Sequence, residues 1–219
     1  MKLNINIPTS LKDITLRQYK RFLKIQEGTD DVRFLNAKMI EIFCDIKLEQ
    51  VMNLKVTDTN EIVEMVSKLF DEKPKLVTSF KLSKIEYGFH PQLDDLTLGE
   101  YIDLDTFIGD WDNMEKAMNV LYRPILVKLK KKYSIEEYRV ETADNVLDMP
   151  MDAVMSSIFF LWNLGLDLSQ TMMNCLDNQE IQTEALTQFL NSQANGVGIK
   201  ASFQDSLKEI LDDLKISLN

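Results

Sequence analysis

Residues 76–91 read LVTSFKLSKIEYGFHP, and the fold turns on how they are read. Apolar and polar residues alternate through LVTSFKLS and again through KIEYGFHP. Val77, Phe80, Ile85, Tyr87 and Phe89 supply the β-branched and aromatic side chains that suit a pleated, half-buried surface. The pattern predicts a β-hairpin over Val77–Phe89 with its turn at Ser83–Lys84, where the usual Asn-Gly or Asp-Gly is lacking. Two strands alone are marginal in water. LNINI at 3–7 also alternates before Pro8 and is the candidate third strand.

Outside this segment the apolar residues recur at helical spacing. Leu16–Ile25 places Leu16, Tyr19, Phe22, Leu23 and Ile25 on one stripe. Val32–Asp45 turns Phe34, Leu35, Met39, Ile42 and Phe43 inward, and Leu48–Met52 is a further short turn. Asp58–Phe70 begins with Asp58 and Glu61 as a capping pair. After the hairpin, helices are expected near 98–108, 113–130, 135–140, 150–165, 169–176, 180–193 and 204–217. The last carries Leu207, Ile210, Leu211 and Leu214 on one face. The fold class is therefore mainly α: a multi-helix domain with a small β-hairpin element near residues 77–89. The break before the hairpin divides an N-terminal helical lobe, 1–75, from a hairpin-plus-helical lobe, 76–219, or the two form one compact domain.

The chain has 219 residues, 27% charged and 45% hydrophobic, with 7 Gly and 5 Pro. That is globular composition, and collagen-like or wholly disordered chains are excluded. Its formal net charge is −10 and is unevenly placed. Residues 1–139 are nearly neutral, whereas 140–219 carry 3 basic and 12 acidic side chains, with no Lys or Arg between Arg139 and Lys200. Phosphate contact needs Lys and Arg, so the C-terminal third is a poor nucleic-acid surface. The basic cluster Lys128, Lys130, Lys131 and Lys132 is expected to close a helix, where cations suit the dipole. No apolar core follows the N-terminal MKLNINIPTSLKDI, so no secretory signal is expected. The longest apolar run, Ala153–Leu166, is too short for a bilayer, which takes about 20 residues. Cys44 and Cys175 read as buried reduced thiols in a cytosolic setting.

Two segments share a phrase: LKDITLRQY at 11–19 and LDDLTLGEY at 93–101. Each presents a threonine N-cap, Thr15 or Thr97, and a reciprocal partner three residues on, Gln18 or Glu100. Ile14 with Tyr19, and Leu96 with Tyr101, complete a hydrophobic staple at both sites. The echo is either the same capping chemistry arising twice or a duplicated helical unit.

Candidate chemistry is sparse. Asp103, Asp105, Asp110 and Asp112 form an acidic run suggestive of a divalent cation, but the spacing is not an EF-hand, and Asp110 or Asp112 serves as readily as a helix cap. His90 is the one histidine and lies in a loop with no Ser or Cys nucleophile beside it. Glu136 and Glu137 are adjacent acids of unreadable geometry. No Walker A, GxGxxG, HExxH or CxxC motif is present. No catalytic, cofactor-binding or metal-ligating residue is assigned, no cofactor is expected, and the chain reads as a non-enzyme. Ile158, Phe159, Leu161, Trp162 and Leu166, with Met172 and Met173, fill the core or form an adaptable groove.

DDLTLGEYIDLD at 94–105, DW at 110–111 and LYRP at 121–124 together resemble small helical proteins from the structural gene modules of tailed phages, notably the crAss-like phages. The likeness covers roughly residues 93–124, with a weaker echo at 11–19. It implies a virion or assembly role and transfers no catalytic residue. The implied protein is made in the host cytoplasm and located in the virion, with portal, tail or capsid proteins as partners and neither a membrane nor a specific nucleic-acid sequence among them. The favoured version is a cargo protein packaged in the capsid or tail. A tail-assembly chaperone absent from the mature particle and a ring subunit of the portal or tail are the alternatives.

Overall fold

In the computed structural model, the residues described are 5–130, 132–141 and 144–177. The expected helices at 180–193 and 204–217 lie outside them, as do residues 3 and 4 of the expected first strand.

Helices come first. α1 (Leu16–Gln26), α2 (Val32–Phe43), α3 (Leu48–Val51) and α4 (Val56–Phe70) follow one another closely. Thr15 caps α1 as its sequence predicts: its Oγ1 accepts from Gln18 N–H (3.2 Å), and Gln18 Oε1 accepts from Thr15 N–H (2.9 Å). Asp31 caps α2 by accepting from Arg33 and Phe34 N–H. α2 stops at Phe43 because Asp45 turns left-handed at φ 51°. α4 starts two residues earlier than expected, so Asp58 lies inside its first turn and is not its cap. Phe34, expected inward, lies at the surface beneath the Lys38 ammonium.

The hairpin is where the alternation puts it: β1 (Ser79–Leu82) pairs antiparallel with β2 (Ile85–Phe89). Its turn residues Ser83 and Lys84 both have positive φ, 49° and 72°. A two-residue turn of that kind matches the right-handed twist of the strands. The sheet is larger than a hairpin, with strand order β1-β2-β3-β4. Residues 5–7 are not a strand; the third and fourth strands come from the stretch expected to be helical. α5 (Leu98–Phe107) and α6 (Met114–Leu121) precede them, and at Tyr122 the chain turns extended as β3 (Tyr122–Leu129), then returns as β4 (Lys132–Ile135). Pro124 explains the switch. It offers no N–H to a helix and biases Arg123 toward extended geometry. The expected 113–130 helix thus ends at Leu121, the 135–140 segment is irregular beyond β4, and Lys128, Lys130 and Lys132 of the lysine cluster sit on a β-ribbon. The architecture is mainly helical with a four-stranded antiparallel sheet.

The chain ends its described course in α7 (Met151–Asp177), one helix of about 40 Å where two were expected. Gly165 costs about 1 kcal/mol inside a helix but does not break it. Ile158 and Leu161 are buried, whereas Leu166 is exposed. Among the described residues no helix is long and apolar enough to cross a membrane.

A single buried cluster joins residues from both parts of the chain. Tyr19 of α1 packs on Phe70 of α4 and on Trp111 beyond α5. Tyr122 anchors the sheet to α7: its hydroxyl donates to Val77 O (2.7 Å) and Ala153 O (3.2 Å), and its ring lies against Phe80 and Phe89. A short bridge, Thr15 with Pro150, ties the two ends: Leu16 N–H donates to Met149 O (3.0 Å) and Met151 N–H to Ile14 O (2.8 Å).

Candidate functional site

The second capping box does more than start a helix. Thr97 Oγ1 accepts from Glu100 N–H (3.3 Å), while Glu100 Oε2 accepts from Thr97 N–H (2.7 Å) and its hydroxyl (2.8 Å). The other oxygen, Glu100 Oε1, meets Arg123 Nη1 of β3 at 2.8 Å, with both side chains no more than 7% exposed. Gln18 has the same double role in the first box. Its amide nitrogen donates to Ile42 O (2.8 Å) at the end of α2. In each copy of the phrase, the capping side chain clips its helix to another element, α1 to α2 in the first and α5 to β3 in the second.

Around the ion pair lies a cluster of buried and half-buried ionisable groups. His90 follows β2; its backbone N–H donates to Leu121 O (2.7 Å), and its Nδ1 accepts from Gln92 N–H (3.4 Å). Burial and the neighbouring Arg123 guanidinium hold its imidazole below the ordinary histidine range. Burial alone would raise the Glu100 carboxyl, but the Thr97 N–H and hydroxyl and the Arg123 charge outweigh it, and the group titrates low. Tyr138, after β4, donates to Asp103 Oδ2 (2.6 Å), and its phenol is pushed up by burial and by that carboxylate. The arrangement has charge, and the bonds it makes are internal, with Arg123 Nε left without a partner among the described residues. It fastens α5 and the segment after β4 to the base of the sheet.

The acidic run does not converge. Asp103 is taken by Tyr138, Asp105 is half-buried with its carboxyl raised by desolvation, and Asp112 is exposed. Asp110 caps the short turn Trp111–Asn113, accepting from Asp112 N–H (2.8 Å). Among the described residues no three His, Cys, Asp or Glu side chains form a group that could hold a metal. Glu136 pairs with Arg139 (3.1 Å) on the surface. Cys44 is a buried free thiol, raised to about 11 by desolvation; the Cys175, Met172 and Met173 side chains fall outside the described ones. A surface cleft of about 330 Å³ runs between α1 and the α5–α6 connection. Lys20, which lines it, is committed to Glu115 and Asp112 O.

What remains open is surface. Leu98 and Ile102 project from α5, and Leu126, Val127 and Leu129 from β3, all exposed. Isolated apolar residues on a surface are ordinary, but grouped ones mark contact sites. Local patterning did not reveal the Glu100–Arg123 pair. Its one signal was an arginine set among apolar residues in VLYRPIL, since a buried arginine calls for a partner. Gly88 was also passed over. The Tyr133 ring crosses from β4 to lie against it, within 2.5 Å of where a Cβ would stand, and its hydroxyl donates to Phe89 O (2.7 Å). A glycine within a strand is the sequence mark of such close approach.

A scan against protein-family models, a search of curated proteins and a search of solved structures each returned no match.

Proposed function

We propose that this chain is a non-enzymatic, virion-associated protein of a tailed phage, held in place by protein–protein contacts. One observation carries the reading: the ionisable cluster around the buried Glu100–Arg123 pair is bonded within the chain, while grouped apolar side chains stand exposed on α5 and on the β3–β4 ribbon. The resemblance of residues 93–124 supports the phage setting. In the preferred version the protein is cargo packaged in the capsid or tail. The acidic segment 140–219 supports it, because packaged DNA repels a negative surface and traps a basic one. Partners are then portal, tail or capsid proteins.

The test has two parts. The chain is detected in purified particles by mass spectrometry, and it leaves duplex DNA unbound at low salt. Tight duplex binding would overturn the cargo version, and absence from particles would overturn the virion reading. A second version, a ring subunit of the portal or tail, is favoured by one specific observation: two exposed apolar surfaces of opposite charge on the same chain.

A further inference from the structure

The two copies of the capping phrase differ in what covers them. Leu16, the first residue of α1, is fully buried, and the chain that leads into α7 at Met149–Met151 bonds its N–H and Ile14 O. Leu98, at the same place in α5, is 75% exposed, and one turn on Ile102 is 52% exposed. Among the described residues nothing bonds Leu98 N–H or Leu96 O, the groups equivalent to those that Met149 and Met151 engage. The surroundings are acidic: residues 93–112 hold seven carboxylates and no Lys or Arg, and although Glu100 and Asp103 are already bonded, Asp94, Asp95 and Asp112 stand exposed. A segment that is both apolar and basic and offers free backbone groups would complete this site.

The chain carries such a segment at the tip of its own sheet. Val127 and Leu129 share one face of the β3–β4 ribbon with Ser134 and Lys132, and Leu126 stands beside them at the register shift. Leu126, Val127 and Leu129 are 57–71% exposed. Residues 125–135 contain four lysines and no acid; Lys128 is paired with Glu86 of β2, while Lys130 and Lys132 are exposed. β4 is an edge strand, so the backbone groups on its outer side face no strand of the sheet. The lengths agree as well. Leu98 to Asp105 on the helix and Leu126 to Leu129 on the strand each span about 10 Å.

We infer that the chain self-associates head to tail, the α5 face of one copy receiving the β3–β4 ribbon of the next. β4 of the second copy takes the place that Met149–Met151 holds over α1, the exposed face it shares with β3 brings Val127 and Leu129 to Leu98 and Ile102, and Lys132 faces Asp94 and Asp95. A contact between two different patches forms a ring if the rotation closes and a filament if it does not. This inference stands on the two surfaces alone and holds whether the protein is cargo or ring subunit.

The experiment is light scattering on the purified full-length chain, with and without two paired-patch variants. The wild type is expected to assemble beyond its 25.4-kDa monomer mass as its concentration rises to about 100 µM. Leu98→Asp with Ile102→Lys, and separately Leu126→Asp with Leu129→Asp, should each weaken assembly at least about tenfold. All four positions are exposed, and circular dichroism confirms folding. Mixed one to one, the two variants retain one good patch each and should form a complex that stops at twice the monomer mass. A mixture that stays monomeric overturns the proposal, as do variants that assemble like the wild type. A wild type that stays monomeric over this range also overturns it. Hydrogen-exchange protection of residues 98–105 in that monomer would then assign the α5 face to an occupant within the same chain. Because the reading is made on the isolated protein, it fails or succeeds independently of the phage assignment.

Discussion

Replacing Glu100 by Gln tests the clip between α5 and the sheet. The amide keeps an oxygen for Thr97, as Gln18 does in the first capping box, so the helix cap survives. The charge does not survive. Arg123 is left buried with its Nη1 facing an amide in place of a carboxylate, and its Nε already has no partner among the described residues. Removing one partner of a buried pair costs about 3–5 kcal/mol. For a chain of this length that lowers the melting temperature by about 10 °C. Arg123→Met should cost a similar amount, because it strands the carboxylate. The double variant removes both charges and should return to within about 2 kcal/mol of the wild type. Urea unfolding followed by circular dichroism at pH 7 gives all four corners of the cycle, with an interaction energy of at least about 3 kcal/mol expected. Single costs below about 1 kcal/mol, or costs that simply add, would refute the claim that the pair is buried and bonded as described.

Three further outcomes follow from other sites. Ser83→Asn with Lys84→Gly should raise thermal stability by about 1 kcal/mol, since both positions hold positive φ without a residue suited to it; unchanged or lower stability would argue against the turn. Gly88→Ala should cost about 1–3 kcal/mol, because its Cβ meets both the Tyr133 ring and the Ile125 side chain, and Tyr133→Ala in the same chain should relieve the closer of the two contacts and only part of the clash. The third concerns pH. The folded values of His90 and Glu100 both lie below their ordinary ones, so the unfolded chain binds more protons as pH falls. Stability should be full above the ordinary histidine value, decline below it as the His90 contribution is lost, and fall again through the acidic range in which Glu100 titrates; His90→Gln should flatten the first decline and leave the second.

Much of the fold was legible because it is local. The four N-terminal helices, the hairpin with its turn at Ser83–Lys84 and both threonine capping boxes depend on residues within a few positions of one another. The β3–β4 ribbon was not legible because Met114, Met118, Leu121, Ile125 and Leu129 keep helical spacing straight through it. Tertiary contact decides the matter: Tyr122 is drawn onto Phe80 and Phe89, and Arg123 onto Glu100. Pro124 was the local sign that the helix must end. The same limit hid the candidate site. Glu100 announces itself as a cap, but its second bond reaches 23 positions along the chain to a strand that periodicity read as helix. Exposure escapes the sequence in the same way, since Leu16 and Leu98 occupy the same place in the same phrase and differ only in what lies over them.

The most direct measurement is the copy number of this chain in purified phage particles, by quantitative mass spectrometry. The account predicts that it is present, in a number fixed by ring symmetry if it is a structural subunit and in a larger or variable number if it is cargo. Absence from mature particles, with abundance in infected cells, would contradict it and would assign the chain to assembly.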